Sequence, residues 1–242
     1  MSEVRILPAG DLSLIVEFGN EISTECNAKV MHLNQCIRKD KLMGVVETVP
    51  TFRSLLIYYD PMILSYKKLT KYIRNISTEQ ITGTSGQKRI IEIPVCYGGE
   101  YGEDLADVSA HTGLSVQEIV RIHSNTDYLI YMLGFLPGFP YLGGMDQRLN
   151  TPRLSNPRTA IPAGSVGIGG EQTGIYPIAS PGGWRLIGRT PVKLYDSERE
   201  NPTLYKAGDY IRFKPIGLPE YLTIEAAVNQ RRYQCNVIME GV

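Results

Sequence analysis

The chain has 242 residues, 43% of them hydrophobic, and its 25 lysines and arginines balance 25 aspartates and glutamates, so the formal net charge is zero. A neutral chain lacks the basic surface that is typical of nucleic-acid-binding proteins, so we expect no nucleic-acid partner. No apolar run approaches the ~20 residues that cross a bilayer, and no basic segment precedes a long apolar one at the start. We therefore expect no membrane span, no signal peptide and a cytoplasmic location.

Histidine and cysteine do not occur at metal-ligand spacing. The three histidines, His32, His111 and His123, are widely separated, and none of the four cysteines forms a C-x-x-C pair. Metal sites typically draw on such ligands at short, regular spacing. We therefore predict no metal site in this chain.

The first third predicts a small α+β unit. Apolar residues alternate with polar ones from Leu12 to Phe18, which is typical of a half-buried strand, and recur at helical spacing from Cys26 to Ile37. The order ββαββα indicates a sheet with helices on one face. The predicted elements are strands over 4–7, 12–18, 45–49 and 54–59, a helix capped by Ser23 or Thr24, and a helix capped by Ser65.

A change of composition marks a candidate linker. Between Asn75 and Lys88, serine, threonine and glycine are frequent, most densely from Thr82 to Gly86. Such stretches connect regular elements rather than form them. We place the domain boundary here, which gives an N-terminal α+β domain over 1–84 and a second domain over 85–242.

The second domain is predicted to be mostly β. Short strands, many turn signals and two brief helices are typical of a closed or nearly closed barrel. Ser115 and Glu118 form a capping-box pattern for one helix, and Asp104 is expected to cap the helix before it. The predicted elements are strands over 89–95, 127–133 and 210–213, helices after 104 and 115, and a weakly helical segment over 220–234.

The stretch from Leu133 to Asp196 is rich in turns, yet it is apolar enough to fold. Between Gly134 and Pro191 it holds 12 of the 24 glycines and 8 of the 15 prolines, a density that no regular helix tolerates. It also carries the single tryptophan, Trp184. Such a segment predicts short strands and shaped loops, where binding sites commonly lie.

The same stretch is locally cationic. From Gly134 to Lys193, six cations face two anions, and five of the six are arginines. A planar guanidinium group matches a carboxylate or phosphate with two hydrogen bonds. The pattern indicates either a solvated basic loop or a pocket for a small anionic substrate. The arginines that could form such a pocket are Arg153, Arg158, Arg185 and Arg189.

Further polar groups could complete a site. Gln172, Thr173 and Tyr176 offer donors and acceptors within five residues, and His123, at the end of its predicted helix, is expected to titrate near neutral pH. Neither a phosphate-binding G-x-x-x-x-G-K-[ST] loop nor a G-x-S-x-G nucleophile motif occurs. The chain alone therefore does not display a complete catalytic set.

Five blocks of sequence resemble, in the same order, the signatures of the allophanate hydrolase subunit 1 family. They are GFLPGFPYL at 134–142, TPRL and NPR within 151–158, IPAGSV at 161–166, QTGIYP at 172–177 and SPGGWRLIGRTP at 180–191. The resemblance extends more weakly to nearly the whole chain. It implies a cyclophilin-like β-barrel for the second domain, without prolyl isomerase activity, because a fold does not fix a function.

The resemblance also implies a function that is carried out in a complex. Members of the family include the B component of the bacterial 5-oxoprolinase, which opens 5-oxo-L-proline to L-glutamate with ATP. Its partners are a C-type component, which is similar to allophanate hydrolase subunit 2, and a third, A-type component. We therefore expect an enzyme component that is inactive alone, with ATP used by the complex rather than bound by a motif in this chain. Two alternatives stay open: an inhibitor of a sporulation-type sensor histidine kinase, and a carboxyltransferase-like component of a urea carboxylase.

The reaction that the resemblance implies suggests roles for the polar residues. Arginines suit the carboxylate of 5-oxoproline or the charge that develops during phosphoryl transfer. We predict His123, Arg153 and Arg189 as catalytic residues. The predicted substrate-binding residues are Arg158, Gln172, Thr173, Tyr176 and Arg185.

Overall fold

The computed structural model describes residues 4–20, 23–77 and 87–241. Internal contacts divide the chain into two compact units, Met1–Ser85 and Gly86–Val242. The predicted linker over 82–86 lies outside the described residues, and so does the predicted boundary between residues 84 and 85. A division at that point therefore stays a proposal.

The first unit is a four-stranded antiparallel sheet with two helices. Its elements are β1 (Arg5–Pro8), β2 (Ser13–Glu17), α1 (Thr24–Asp40), β3 (Val45–Pro50), β4 (Ser54–Tyr59) and α2 (Tyr66–Ser77). The strands pair in the order β1–β2–β4–β3. Leu14 and Val16 of β2 share a core with Val30 and Leu33 of α1. Ser23, one of the two predicted caps, begins α1 by accepting a backbone hydrogen bond.

The second unit is built round an eight-stranded sheet. Its elements are β5 (Lys88–Tyr97), α3 (Leu105–Thr112), α4 (Val116–Ser124), β6 (Asp127–Leu133), β7 (Pro140–Gly143), β8 (Arg158–Ile161), β9 (Ser165–Gly169), β10 (Gln172–Ile175), β11 (Ser180–Gly182), β12 (Arg185–Arg189), β13 (Tyr210–Pro215), α5 (Leu218–Asn229) and β14 (Val237–Glu240). The main path is β10–β9–β12–β5–β13–β6–β7, and β14 adds to β5. Strands β10 and β7, at the two ends of this path, lie against each other. The sheet is therefore a nearly closed barrel.

Strand β5 keeps its pairing although it contains Pro94. The Glu92 N–H donates to the Asn236 carbonyl on the β14 side, and residue 94 faces the same way because strand residues alternate. On this side β5 pairs with β14 over 88–91 and with β12 at 96 and 97. Pro94 falls in the gap between these partners, where no ladder bond needs its missing N–H.

Two predicted details of the second unit need correction. Helix α3 does begin after Asp104, but the Asp104 side chain makes no capping hydrogen bond. It instead accepts a hydrogen bond from the Leu186 backbone at 2.6 Å, because β12 runs past the start of α3. The weakly helical segment is the helix α5, which ends at Asn229, and the short strand β14 that follows was not predicted. The capping box of Ser115 and Glu118 is confirmed.

No helix within the described residues is both long and apolar enough to cross a membrane.

Candidate functional site

The structure places seven of the eight predicted site residues in three parts of the second unit. Four of them lie near Trp184, two lie in the core of the barrel, and Arg189 lies beside a groove. The last, Gln172, is half-buried at the start of β10. The residues near Trp184 are Arg153, Arg158, Tyr176 and Arg185; those in the core are His123 and Thr173.

Trp184 is the centre of an aromatic group that also contains Phe139 and Tyr176, here called the Trp184 cluster. Phe139 meets the tryptophan edge to face with ring centroids 5.7 Å apart, and Tyr176 does so at 6.3 Å. The guanidinium of Arg153 lies over the indole, 5.8 Å from its centroid. Gly169 leaves room for the indole, since a Cβ at that position would lie 2.5 Å from it. The cluster thus forms a firm base beneath an exposed arginine.

Two arginines of the cationic stretch are paired with carboxylates from elsewhere in the chain. Arg158 contacts Asp104 at 2.8 Å and Glu103 at 3.0 Å. Arg185 contacts Asp107 at 2.9 Å. These acids lie at the start of α3, outside the stretch from which the local charge was counted. Arg158 and Arg185 therefore hold α3 against the barrel, and much of their charge is already neutralised.

Arg153 and Arg189 differ from these two. Within the described residues, neither forms an ion pair with a carboxylate. The guanidinium of Arg189 lies over Tyr101, 5.4 Å from the ring centroid, and its Nε is buried without a hydrogen-bond partner. Neither predicted catalytic arginine is therefore neutralised by a carboxylate among the described residues.

His123 lies in the core of the barrel and is fully hydrogen-bonded. Its Nε2 is 2.8 Å from the Thr173 Oγ1, and that hydroxyl also lies 3.1 Å from the Gly167 carbonyl, to which it donates. The imidazole therefore carries its proton on Nε2, and its Nδ1 accepts from the Tyr97 hydroxyl at 2.7 Å. Phe213 stacks on the ring at a centroid distance of 4.5 Å. The network fixes the tautomer and joins α4 to β10 and β5.

The expectation that His123 titrates near neutral pH is wrong. The side chain is completely buried, and burial lowers the pKa of His123 to about 3. The imidazole is therefore neutral at pH 7. The sequence places His123 at a helix end, but it does not reveal that β10 and β13 cover that end. Thr173 is equally buried, so in this structure neither side chain reaches solvent.

A groove of about 810 Å³ lies next to Arg189. Turns from three of the sequence blocks form part of its lining, and α5 with the segment after it forms another part. The lining includes Ala163, Gly164, Pro177, Thr190 and Pro191 from the blocks, and Tyr221, Glu225 and Val228 from α5. Burial raises the pKa of Tyr221 to about 12, with Glu225 adding to the rise and the Arg189 charge opposing it. Arg189 is not itself a lining residue, but its guanidinium lies close enough to Tyr221, which lines the groove, to influence the pKa of that hydroxyl.

The groove also contains an arginine outside the predicted set. Arg199 lines it, and its Nη1 is buried without a hydrogen-bond partner. The Arg199 Nε is 3.7 Å from Asp196, which also pairs with Lys193 at 3.1 Å. Arg199 lies just beyond the stretch whose charge was counted, so extending that count would have included it. In the described parts of the chain, no cluster of three or more His, Cys, Asp or Glu residues could hold a metal ion.

Comparisons with known proteins agree with this architecture. The family described as carboxyltransferase domain, subdomain C and D, matches residues 4–205. The chain is 44% identical to the B subunit of 5-oxoprolinase from Bacillus subtilis (strain 168), over 90% of this chain and 95% of that protein. It is 41% identical to the corresponding 5-oxoprolinase B subunit of Escherichia coli O157:H7, over 89% and 97% of the two chains. The chain belongs to the family of 5-oxoprolinase B subunits, the family that its sequence blocks resemble.

Longer proteins also contain the fold. The chain in the crystal structure of TTHA0988 has 35% sequence identity to this chain and matches its fold with a TM-score of 0.75. The match covers 89% of this chain but 40% of that one. The Kluyveromyces lactis urea carboxylase shares the fold at 22% identity and a TM-score of 0.76, and 24% of its chain is covered. The urea amidolyase of Saccharomyces cerevisiae is 28% identical over 86% of this chain and 13% of that protein. The urea carboxylase relationship is therefore distant.

Proposed function

We propose that this chain is the B component of an ATP-dependent 5-oxoprolinase, which opens 5-oxo-L-proline to L-glutamate together with partner subunits. The observation that carries the proposal is the 44% identity to a 5-oxoprolinase B subunit over 95% of that protein's length. We propose that the chain is inactive alone and that its partners are a C-type component, of the allophanate hydrolase subunit 2 kind, and an A-type component. A cytoplasmic location and a cyclophilin-like barrel belong to the same proposal.

The reaction explains why guanidinium donors that are not already paired would be needed. A lactam carbonyl is a poor electrophile, and transfer of the γ-phosphoryl group of ATP to its oxygen gives an imidate phosphate and ADP. Water adds to the ring carbon, the carbon–nitrogen bond breaks to give γ-glutamyl phosphate, and a second water releases phosphate and glutamate. Negative charge on the transferring phosphoryl oxygens is stabilised by fixed cationic donors.

We assign the anion-binding role in this chain to the groove beside Arg189. Arg189 has a buried Nε without a partner and lies close to Tyr221 at the groove, and Arg199, which lines the groove, adds a second unpartnered donor. Either could bind the carboxylate of 5-oxoproline or a phosphoryl oxygen. Gln172 stays a candidate substrate contact on its residue type alone.

The remaining predicted residues suit supporting roles. His123 and Thr173 would position β10 through their hydrogen bond, and Arg158 and Arg185 would position α3 through their ion pairs. Tyr176 packs in the Trp184 cluster, and Arg153 is exposed above it. An inhibitor of a histidine kinase would need an exposed surface but no spare donors beside a groove, so the enzyme component is the function that we favour.

The proposal is tested by measuring glutamate released from 5-oxoproline and ATP. The chain is assayed alone, then with candidate A-type and C-type components from the same source. Glutamate release in the full mixture, and not from the chain alone, would support the proposal. A stable complex of all the components that releases no glutamate would contradict it.

A further inference from the structure

The loop between β6 and β7 holds a phenylalanine in a costly backbone conformation. Phe135 has a φ of +67°, in the left-handed region that bulky residues rarely adopt. The Leu136 N–H donates to the Gly134 carbonyl at 2.8 Å, which closes a γ-turn of the strained, positive-φ type round Phe135. Glycine would adopt this turn without a steric penalty. The phenylalanine at this position therefore points to a role for its ring.

The strained turn displays that ring to solvent. Phe135 is 65% exposed, and its ring makes a T-shaped contact with the buried ring of Phe139, with centroids 5.7 Å apart and planes at 86°. A second turn fixes the base, since Pro137 and Gly138 occupy its central positions and the Phe139 N–H donates to the Leu136 carbonyl at 3.0 Å. Because the support is rigid, little conformational freedom remains to be lost when the ring is covered.

An unpaired cation projects from the same support. Phe139 packs against the indole ring of Trp184, and the guanidinium of Arg153 lies over that same indole ring. Arg153 is exposed and has no carboxylate partner among the described residues. Aromatic residues, phenylalanine among them, and arginine are enriched at protein–protein interfaces, and arginine is also enriched among binding hot spots. We call this pair the Phe135–Arg153 surface.

We infer that the Phe135–Arg153 surface docks the C-type partner of the proposed complex, which presents an apolar pocket for the ring beside a carboxylate for the arginine. The inference rests on the proposed function. A polypeptide partner is consistent with the TTHA0988 chain, which joins the part that matches this chain to further polypeptide, about three-fifths of its length. A small-molecule contact fits less well, because Phe135 does not line the groove and its ring points into solvent.

The test separates docking from folding. Phe135→Gly relieves the backbone strain while it removes the ring, and Phe135→Asn does the same with a second residue that tolerates positive φ. Arg153→Met removes the charge and keeps an apolar stem over Trp184. Val116→Ala is the matched control, because Val116 is an exposed apolar residue at the start of α4. Affinity for the purified C-type partner is measured by isothermal titration calorimetry, and the melting temperature of each free chain is measured in parallel.

We expect both Phe135 variants to bind the partner about 30-fold more weakly, the size of a binding hot spot, with melting temperatures no lower than that of the wild-type chain. Arg153→Met should also weaken binding, and Val116→Ala should not.

Wild-type affinity in the Phe135 variants would overturn the inference. So would a loss of affinity accompanied by a large fall in melting temperature in both variants, or an absence of binding by the wild-type chain. Binding is measured without turnover, so a complex that forms but hydrolyses no 5-oxoproline would reject the proposed function and leave this inference standing.

Discussion

Asp104 and Arg158 join the start of α3 to β8 through an ion pair of 2.8 Å, although 53 residues separate them in the sequence. The side chain of Asp104 is 7% exposed, and its other oxygen accepts the Leu186 N–H. One carboxylate therefore satisfies both a buried backbone donor and an arginine. The relationship shows why a cationic stretch of sequence does not have to be a cationic surface.

Removing that carboxylate should destabilise the second unit. Asp104→Ala leaves the Leu186 N–H and the Arg158 guanidinium without their partner, so we expect a loss of about 2–4 kcal/mol in the free energy of unfolding. Glu103→Ala is the matched control, because Glu103 is 57% exposed in its ion pair with Arg158 and should contribute less than ~1 kcal/mol. Urea unfolding of the two variants checks the difference. Equal losses would contradict the assigned role of Asp104.

His123 should make the fold sensitive to acid. The folded-state pKa of His123 is lowered to about 3, from an ordinary value of 6.5. Below pH 6.5 the unfolded chain therefore binds a proton that the folded chain does not. The contribution of this group to stability is complete above that pH and is lost towards pH 3, by about 1.4 kcal/mol for each pH unit.

The His123→Gln variant isolates this effect. Glutamine cannot titrate in this range, so the variant should lose less of its own stability between about pH 6 and pH 4 than the wild-type chain does. Unfolding free energies measured in urea across this range check the slope. If the unfolding free energy changes with pH equally in the two chains, the pKa of His123 is the same in the folded and unfolded states, which would contradict the account.

Gly169 should be required for the position of Trp184. A Cβ at residue 169 would lie 2.5 Å from the indole, so Gly169→Ala must displace the ring at a cost of about 1–3 kcal/mol. Trp184 is the only tryptophan, so its emission spectrum should shift in this variant. Gly217→Ala is the control, because the nearest atom to a Cβ there is 3.7 Å away. An unshifted emission spectrum in Gly169→Ala would contradict the packing described for the Trp184 cluster.

Arg189 should matter for turnover rather than for assembly. We expect Arg189→Ala to lower the rate of glutamate release by the reconstituted complex about 100-fold, because a positioned donor for developing charge is lost. Arg232→Ala, which removes an exposed arginine after α5, should leave the rate near that of the wild-type complex. Assembly of the complex, followed by size-exclusion chromatography, should be unchanged in both. An undiminished rate in Arg189→Ala would remove Arg189 from the site.

Much of the fold follows from local pattern. The periodic apolar residues of α1, the alternation in β2 and the Ser115–Glu118 capping box each depend on neighbours within a few residues, so the sequence displays them directly. The strand β14 has four residues and packs at an edge, so it carries too little pattern to be predicted. The position of β14 depends instead on its pairing with β5, a strand that is distant from it in the sequence.

The candidate site follows from the sequence only in part. Arginines could be counted in the stretch between Gly134 and Lys193, but the acids that neutralise Arg158 and Arg185 come from α3, which only the folded chain brings near. Likewise, the groove needs α5 to pack beside three separate turns. Residue type and spacing predict which side chains can bind an anion, and tertiary contacts decide which of them are free to do so.

The most direct test of the central proposal compares two products in two mixtures. Glutamate and ADP released from 5-oxoproline and ATP are measured with all the components present, and again with this chain omitted. The proposal predicts equal amounts of glutamate and ADP in the full mixture and loss of glutamate release without this chain. Undiminished glutamate release in its absence would show that the chain is not a component of the enzyme.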